Sequence, residues 1–388
     1  MAPHQVNCDF NAPGDGALLN VRKRQELQAK GRQPKRITAD QQEPEQKPCR
    51  RSARLSNKRI STSIPLRAIL KPEGSLRRKG SSSSSSLGST ATSDQNSREG
   101  KSAKYKSLNY LTVLALKGSF MAPSDLGVTD ASKNLCKRLL YEGQPTPHDT
   151  LFHFNRFQKA CENLEDKNEP RVIQDIARLI VPSAESLAIY DTPHLRVLIE
   201  SVNESWRSSL AFCGPLPQPD YSVAFKRSTF TDSQLEKLTP FIGKVPGDYS
   251  SYFLGTFKMY FPFLSCEAKC GTSGLEIADR QNAHSMTIAV RAIVELFKWL
   301  GRGEEVNREI LAFSISHDNK NVRIYGHYAV IEGEKVSFYR HHIHSFDFTA
   351  LDGRSKWTAY QFIRNVYDIW MPDHLDRIRS AIDQILLG

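Results

Sequence analysis

An α/β (α+β) fold organised on a mixed β-sheet is predicted by three features of this 388-residue chain. The first is Phe261-Pro-Phe-Leu-Ser-Cys-Glu-Ala-Lys269, apolar and aromatic, too short for a typical helix and suited to a buried strand. The second is Leu275–Leu300, a long stretch at helical spacing that directly follows a Gly-rich turn. The third is the order helix, three strands, helix, strand over residues 191–316, an αβββαβ core.

The charge is unevenly distributed. Residues 1–106 hold 22 Lys and Arg against 9 Asp and Glu, leaving 31 against 33 for residues 107–388, a net of −2. The basic balance therefore belongs to the N-terminal segment. That segment contains the Ser81–Ser86 homopolymer, many Gln and Pro, and few aromatic residues. Such a composition buries too little apolar surface to offset its ordering entropy, and it predicts a disordered tail over residues 1–106. Five basic clusters punctuate it, at Arg22–Arg24, Lys35-Arg36, Arg50–Arg54, Lys58-Arg59 and Arg77–Lys79. They suit recognition by the nuclear import machinery, with loose phosphate-backbone contact, and predict a nuclear protein. Seven scattered cysteines and no leader-like segment favour reduced thiols in an intracellular setting. No apolar run approaches the roughly 20 residues that span a bilayer.

Order is predicted from Ser107. Residues 107–190 read as a helical annex, with helices at 131–141, 150–164 and 171–181. Residues 191–388 form the sheet-bearing domain. Thr192-Pro193 provides a capping hydroxyl and a proline at the first helical position. Leu195, Leu198, Ile199, Val202 and Trp206 then fall on one stripe, predicting a helix to about Trp206. Gly214–Asp220 reads as a loop, Tyr221–Phe225 as a strand and Ser233–Ile242 as a helix. Phe253–Tyr260 and Phe261–Lys269 read as two strands or a bent hairpin around Pro262. Ile310–Ser316, Val322–Ile331 and Lys335–His341 form a meander, and a last helix from about Trp357 breaks at Pro372.

Side chains alternate along a strand, so Glu267 and Lys269 share one face while Cys266, Ala268 and Cys270 take the other. A carboxylate and an ammonium at the end of an apolar strand are costly to bury without a task. Phosphodiester hydrolysis offers one. It needs a nucleophilic water and stabilisation of developing negative charge, which a Mg²⁺ ion on one or two carboxylates supplies. A nearby lysine adds positive charge without competing for the metal. Asp220, after a proline at the mouth of an earlier strand, completes the set. Gln281 lies on the following helix, on a small-residue face with Ser285, Ile288 and Ala292.

Asp220, Glu267 and Lys269 in this order and context resemble the PD-(D/E)xK nuclease superfamily, and the αβββαβ order its restriction-endonuclease-like core. The resemblance implies a Mg²⁺ (or Mn²⁺) ion held by Asp220, Glu267 and the Ala268 carbonyl, with Lys269 acting on the attacking water or the scissile phosphate. It implies Gln281 as a brace, and a further acid on the helix before Asp220, for which Glu200 and Glu204 are available; their place opposite the apolar stripe favours a solvated face. The expected activity is cleavage of nucleic acid; the alternative is a catalytically silent relative that binds protein or nucleic acid. The motifs Pro217–Asp220, Tyr260–Gly271, Asp279–Ala283, Ile324–Tyr328 and Tyr367–Trp370 also resemble a large fungal family with a variable basic tail and an uncharacterised C-terminal domain. Two other metal readings are weaker. The sulfurs of Cys266 and Cys270 would stand roughly 13 Å apart on a strand, and His342 and His344 lack further ligands nearby.

Overall fold

Every residue of Met259–Ala268 is buried. A strand covered on both faces is built from near-continuous apolar residues, and here Tyr260, Phe261, Phe263 and Leu264 supply them. A computed structural model describes residues 103–190, 192–242, 250–270 and 274–386, so of the basic tail only residues 103–106 fall within it. The described residues belong to one compact unit, in which the annex helices from Asp130 onward and the sheet share the main hydrophobic core.

Six strands, β1 (Leu198–Val202), β2 (Tyr221–Lys226), β3 (Met259–Ala268), β4 (Ala312–His317), β5 (Asn321–Glu332) and β6 (Lys335–Asp347), pair in chain order. All neighbours are antiparallel except β3 and β4. A parallel pair needs a crossover connection, and the helix Leu275–Trp299 provides it. This helix covers the sheet face that carries Ser265, Glu267 and Ser316. Its Asn282, 1% exposed, accepts from Ser265 Oγ at 2.6 Å and donates to the Ile315 carbonyl at 2.8 Å and to Ser316 Oγ at 3.0 Å. Those bonds fix the rotation of the helix about its axis, and with it the direction of Gln281. Packed against the other face are helix Glu169–Ile180 and the C-terminal helices, with Trp370 5.0 Å from Phe313 between ring centroids.

Two expectations are corrected. The stretch from Thr192 to Trp206 is not a helix: a 3₁₀ turn, Pro193–Val197, leads directly into β1. Thr192 supplies no cap hydrogen bond, and Ile199 and Val202 are β-branched residues that suit the pairing with β2. The apolar stripe was compatible with both structures. Of the two strands or bent hairpin expected over residues 253–269, only β3 forms as a strand, and the earlier part folds back onto it through one antiparallel bridge, Leu254 with Tyr260. Phe253–Thr256 folds back in a turn, and Phe261 adopts φ 47°, just before Pro262. Here β3 holds two extra residues against Val223–Phe225, a bulge that accommodates a proline unable to donate to the ladder. The αβββαβ order survives both changes, with the first helix supplied by the annex.

At Pro372 the expected break takes the form of a π-helical turn, Val366–Trp370, followed by helix Met371–Asp383. No helix among the described residues is long and apolar enough to cross a membrane. Cys136, Cys161, Cys213, Cys266 and Cys270 are free thiols.

The segment leading into helix Asn109–Leu116 lies on the crossover helix. Tyr105, Tyr110 and Leu114 form a small cluster with Cys213 and Ala283, separate from the main core. Beyond it, Phe338 N donates to the Gly118 carbonyl at 2.7 Å and Phe120 N to the Phe338 carbonyl at 2.9 Å, closing part of the β6 edge. Removing residues 1–102 should therefore leave cooperative thermal unfolding intact. Removing residues 1–117 should lower the midpoint by several degrees, by loss of the Tyr105–Tyr110–Leu114 cluster. Differential scanning calorimetry of the two truncations tests this.

Candidate active site

Register brings the acids together. Tyr221 stands opposite Cys266 and Ser222 opposite Ser265, so one more residue along the ladder sets Asp220 opposite Glu267. Asp220 Oδ2 accepts a hydrogen bond from Ala268 N at 2.9 Å, which pins its carboxylate to the end of β3. Lys269 continues the parallel pairing, its N donating to the His317 carbonyl at 2.9 Å. Its ammonium then turns inward, donating to the Ala268 carbonyl at 2.6 Å. It lies 3.9 Å from Asp220 Oδ2 and 3.8 Å from Glu267 Oε2. The three residues proposed from sequence thus meet at one point.

A fourth charge joins them. Glu169 Oε2 lies 3.6 Å from Lys269 Nζ. It occupies the first turn of helix Glu169–Ile180, whose Asn168 cap accepts from Arg171 N, and a carboxylate there is favoured by the helix dipole. Glu200 and Glu204 are elsewhere. Glu200 lies on β1 and accepts from Ser183 Oγ at 2.7 Å and Tyr221 OH at 2.6 Å, while Glu204 accepts from Ser201 Oγ. The acid that joins the cluster therefore comes from the annex.

One cation among three carboxylates leaves excess negative charge in a buried place. Glu267, 1% exposed, responds most: burial first, then the Asp220 carboxylate, push its pKa well above the ordinary value, and Lys269 only partly counters them. Lys269 itself is held above its ordinary pKa, because the attraction of Asp220, Glu267 and Glu169 outweighs its desolvation. It is a fixed positive charge and not a base. Glu267 Oε2 has no hydrogen-bond partner among the described residues.

Glu267 and Gln281 line one narrow cleft, roofed by Tyr105 and Pro215–Gln218. Gln281 is 8% exposed and its Oε1 is likewise unpartnered. The accessible interior of about 60 Å³ holds a few waters, too little for a nucleotide. On the opposite side, Asp220, Cys266, Ala268 and His317 border a second small pocket. The alternation expected along β3 is thus observed for Glu267 against Cys266 and Ala268, while Lys269 lies past the end of the strand and turns its ammonium toward Glu169 as well.

A divalent cation fits this donor set. Asp220, Glu267 and the Ala268 carbonyl are hard oxygen donors suited to Mg²⁺, Glu267 Oε2 has Lys269 near it at 3.8 Å but accepts no hydrogen bond, and a divalent ion would relieve the repulsion between the two carboxylates. Among the described residues no group of three His, Cys, Asp or Glu is arranged for a metal, so the carbonyl and water must complete the shell. His342 is bonded to Ser345 Oγ and His344 stacks on Phe346.

A raised folded-state pKa at Glu267 contributes stability that is complete below the unfolded value of 4.5 and is lost as pH climbs through the folded value. Without divalent cations, Glu267→Gln should therefore gain on wild type as pH rises from 5 to 8, by on the order of 1–3 kcal/mol. Urea unfolding at several pH values reads this, and parallel curves for the two proteins would refute it.

A family model described as Domain of unknown function (DUF7924) matches residues 156–382. No curated protein matches the sequence. The matched span includes Glu169, Asp220, Glu267, Lys269 and Gln281, and covers more than half of the chain, which therefore belongs to the DUF7924 family.

Proposed function

We propose that the chain is a Mg²⁺-dependent phosphodiester hydrolase of the PD-(D/E)xK type, acting on nucleic acid in the nucleus. The observation that carries this reading is the convergence of Asp220, Glu267 and Lys269 where β2 begins and β3 ends. Asp220, Glu267 and the Ala268 carbonyl would hold the cation. When bound, it supplies a Lewis acid and a more acidic water. Lys269, kept protonated by its three carboxylates, places a permanent positive charge beside the site, where negative charge develops on a phosphate. The free Oε1 of Gln281 offers a hydrogen-bond acceptor on the cleft wall, able to orient a water. The five basic clusters of the tail support nuclear import.

One observation favours the alternative, a nuclease-like fold retained as a protein- or nucleic-acid-binding module. Lys269 donates to its own neighbour's carbonyl and is 3% exposed, so its ammonium is enclosed where a cleaving enzyme would present it to phosphate.

Two measurements decide between the readings. Millimolar Mg²⁺ should raise the thermal midpoint of the wild type by mass action, and Asp220→Ala should abolish the shift. Single-stranded and duplex DNA and RNA, offered with Mn²⁺, should be cut by wild type and not by Asp220→Ala. Lys269→Ala should keep the metal shift, measured where circular dichroism shows it folded, and lose about 10²–10³ in rate. Cleavage surviving in both variants would overturn the assignment. A metal shift without cleavage by wild type would leave the binding module. For the tail, a fluorescent fusion lacking residues 1–106 should lose nuclear accumulation; unchanged accumulation would remove the import role.

A further inference from the structure

Strand β4 has a second polar site at its other end. The acid cluster meets β4 at Ser316 and His317, whereas this pocket reaches the residues that lead into Ala312, roughly 20 Å away by strand rise. Its accessible interior is about 160 Å³, more than twice that of the Glu267 cleft. Arg138 enters from helix Asp130–Tyr141, and His374 and Arg377 from helix Met371–Asp383, with Trp370 behind them.

His374 is the most telling member. It is 4% exposed and stacked on Trp370, ring centroids 4.2 Å apart, yet forms no hydrogen bond with any described residue. Burial and the neighbouring Arg377 push its pKa down to about 3, so it is neutral and carries one N–H to donate. That donor is therefore available to an acceptor entering the pocket. The exposed guanidinium groups of Arg138 and Arg377 likewise form no ion pair or hydrogen bond with another described residue. The site also adjoins the π-helical turn Val366–Trp370. Pro372 has no N–H for the Asp368 carbonyl, and Met371 N bonds instead to the Val366 carbonyl. Such turns recur at functional sites.

Two guanidinium groups and an imidazole N–H, arriving from two separate helices, suit a tetrahedral oxyanion. Two carboxylates also border the pocket. Glu309 accepts from Thr129 Oγ1 at 2.7 Å and Ser132 Oγ at 2.9 Å, which offsets part of its charge, and Asp373 is exposed at the rim. We propose that this pocket binds a phosphate group, as free phosphate or as the monoester of a small molecule, at a site separate from the acid cluster.

Titration calorimetry on the full chain tests the proposal, with inorganic phosphate and glycerol phosphate as probes in a chloride buffer of matched ionic strength. Wild type should bind one equivalent, and the tighter probe identifies the source. Arg138→Gln combined with Arg377→Gln, both exposed and expected to fold, should weaken binding by about ten-fold or more. His374→Phe, which keeps the stack on Trp370, should also weaken it, while Asp220→Asn should bind as wild type does. No heat at about 10 mM of either probe, a concentration that would reveal even millimolar affinity, would overturn the proposal. So would unchanged binding in the double variant, or loss of binding in Asp220→Asn.

Discussion

Burying β3 completely is the constraint that organises this protein. A strand with no exposed residue needs a partner on each edge and a layer on each face, and β2, β4, the crossover helix and the annex with the C-terminal helices supply them. The same strand ends in a carboxylate and an ammonium that cannot reach open water, at 1% and 3% exposure. Apolar burial thus holds charges where they would not settle by themselves. The stability of the core supports an electrostatically unfavourable cluster, as expected of a site kept for binding or chemistry.

The cluster has an internal hierarchy. Lys269 touches all three acids and the Ala268 carbonyl, so it is the hub through which the carboxylates tolerate one another. Glu267 is the least comfortable member, and Asp220 is steadied by the amide of Ala268. A cation would compete with Lys269 for the same oxygens. The arrangement therefore offers two ways to balance charge, and the proposed activity depends on exchange between them.

The central strand, the crossover helix and the meander were legible because apolar continuity, helical period and turn residues all agreed there. Asp220, Glu267 and Lys269 were legible as a set because strand alternation and chain order limit where they can meet. Glu169 was not. The start of its helix is marked by Asn168 and Pro170, but which helix end faces the sheet end depends on tertiary packing. β1 was misread because Leu195, Leu198, Ile199 and Val202 satisfy helical spacing, while their extended form depends on pairing with Tyr221–Phe225. The bulge at Phe261 was also hidden, since Pro262 marks an irregularity without saying whether the strand ends or bends.

The sheet has two free margins, and they are treated differently. β1 is five residues long, too short to template much growth. β6 runs for thirteen residues, and an uncovered edge of that length invites a second chain to add a strand. Gly118 and Phe120 occupy the backbone groups of Phe338, and Lys335, Arg340, His341, His342 and His344 make the edge poorly suited to stacking against its like. The short segment after helix Asn109–Leu116 thus acts as a guard against aggregation, and damage to it would be felt as insolubility before any change in the acid cluster.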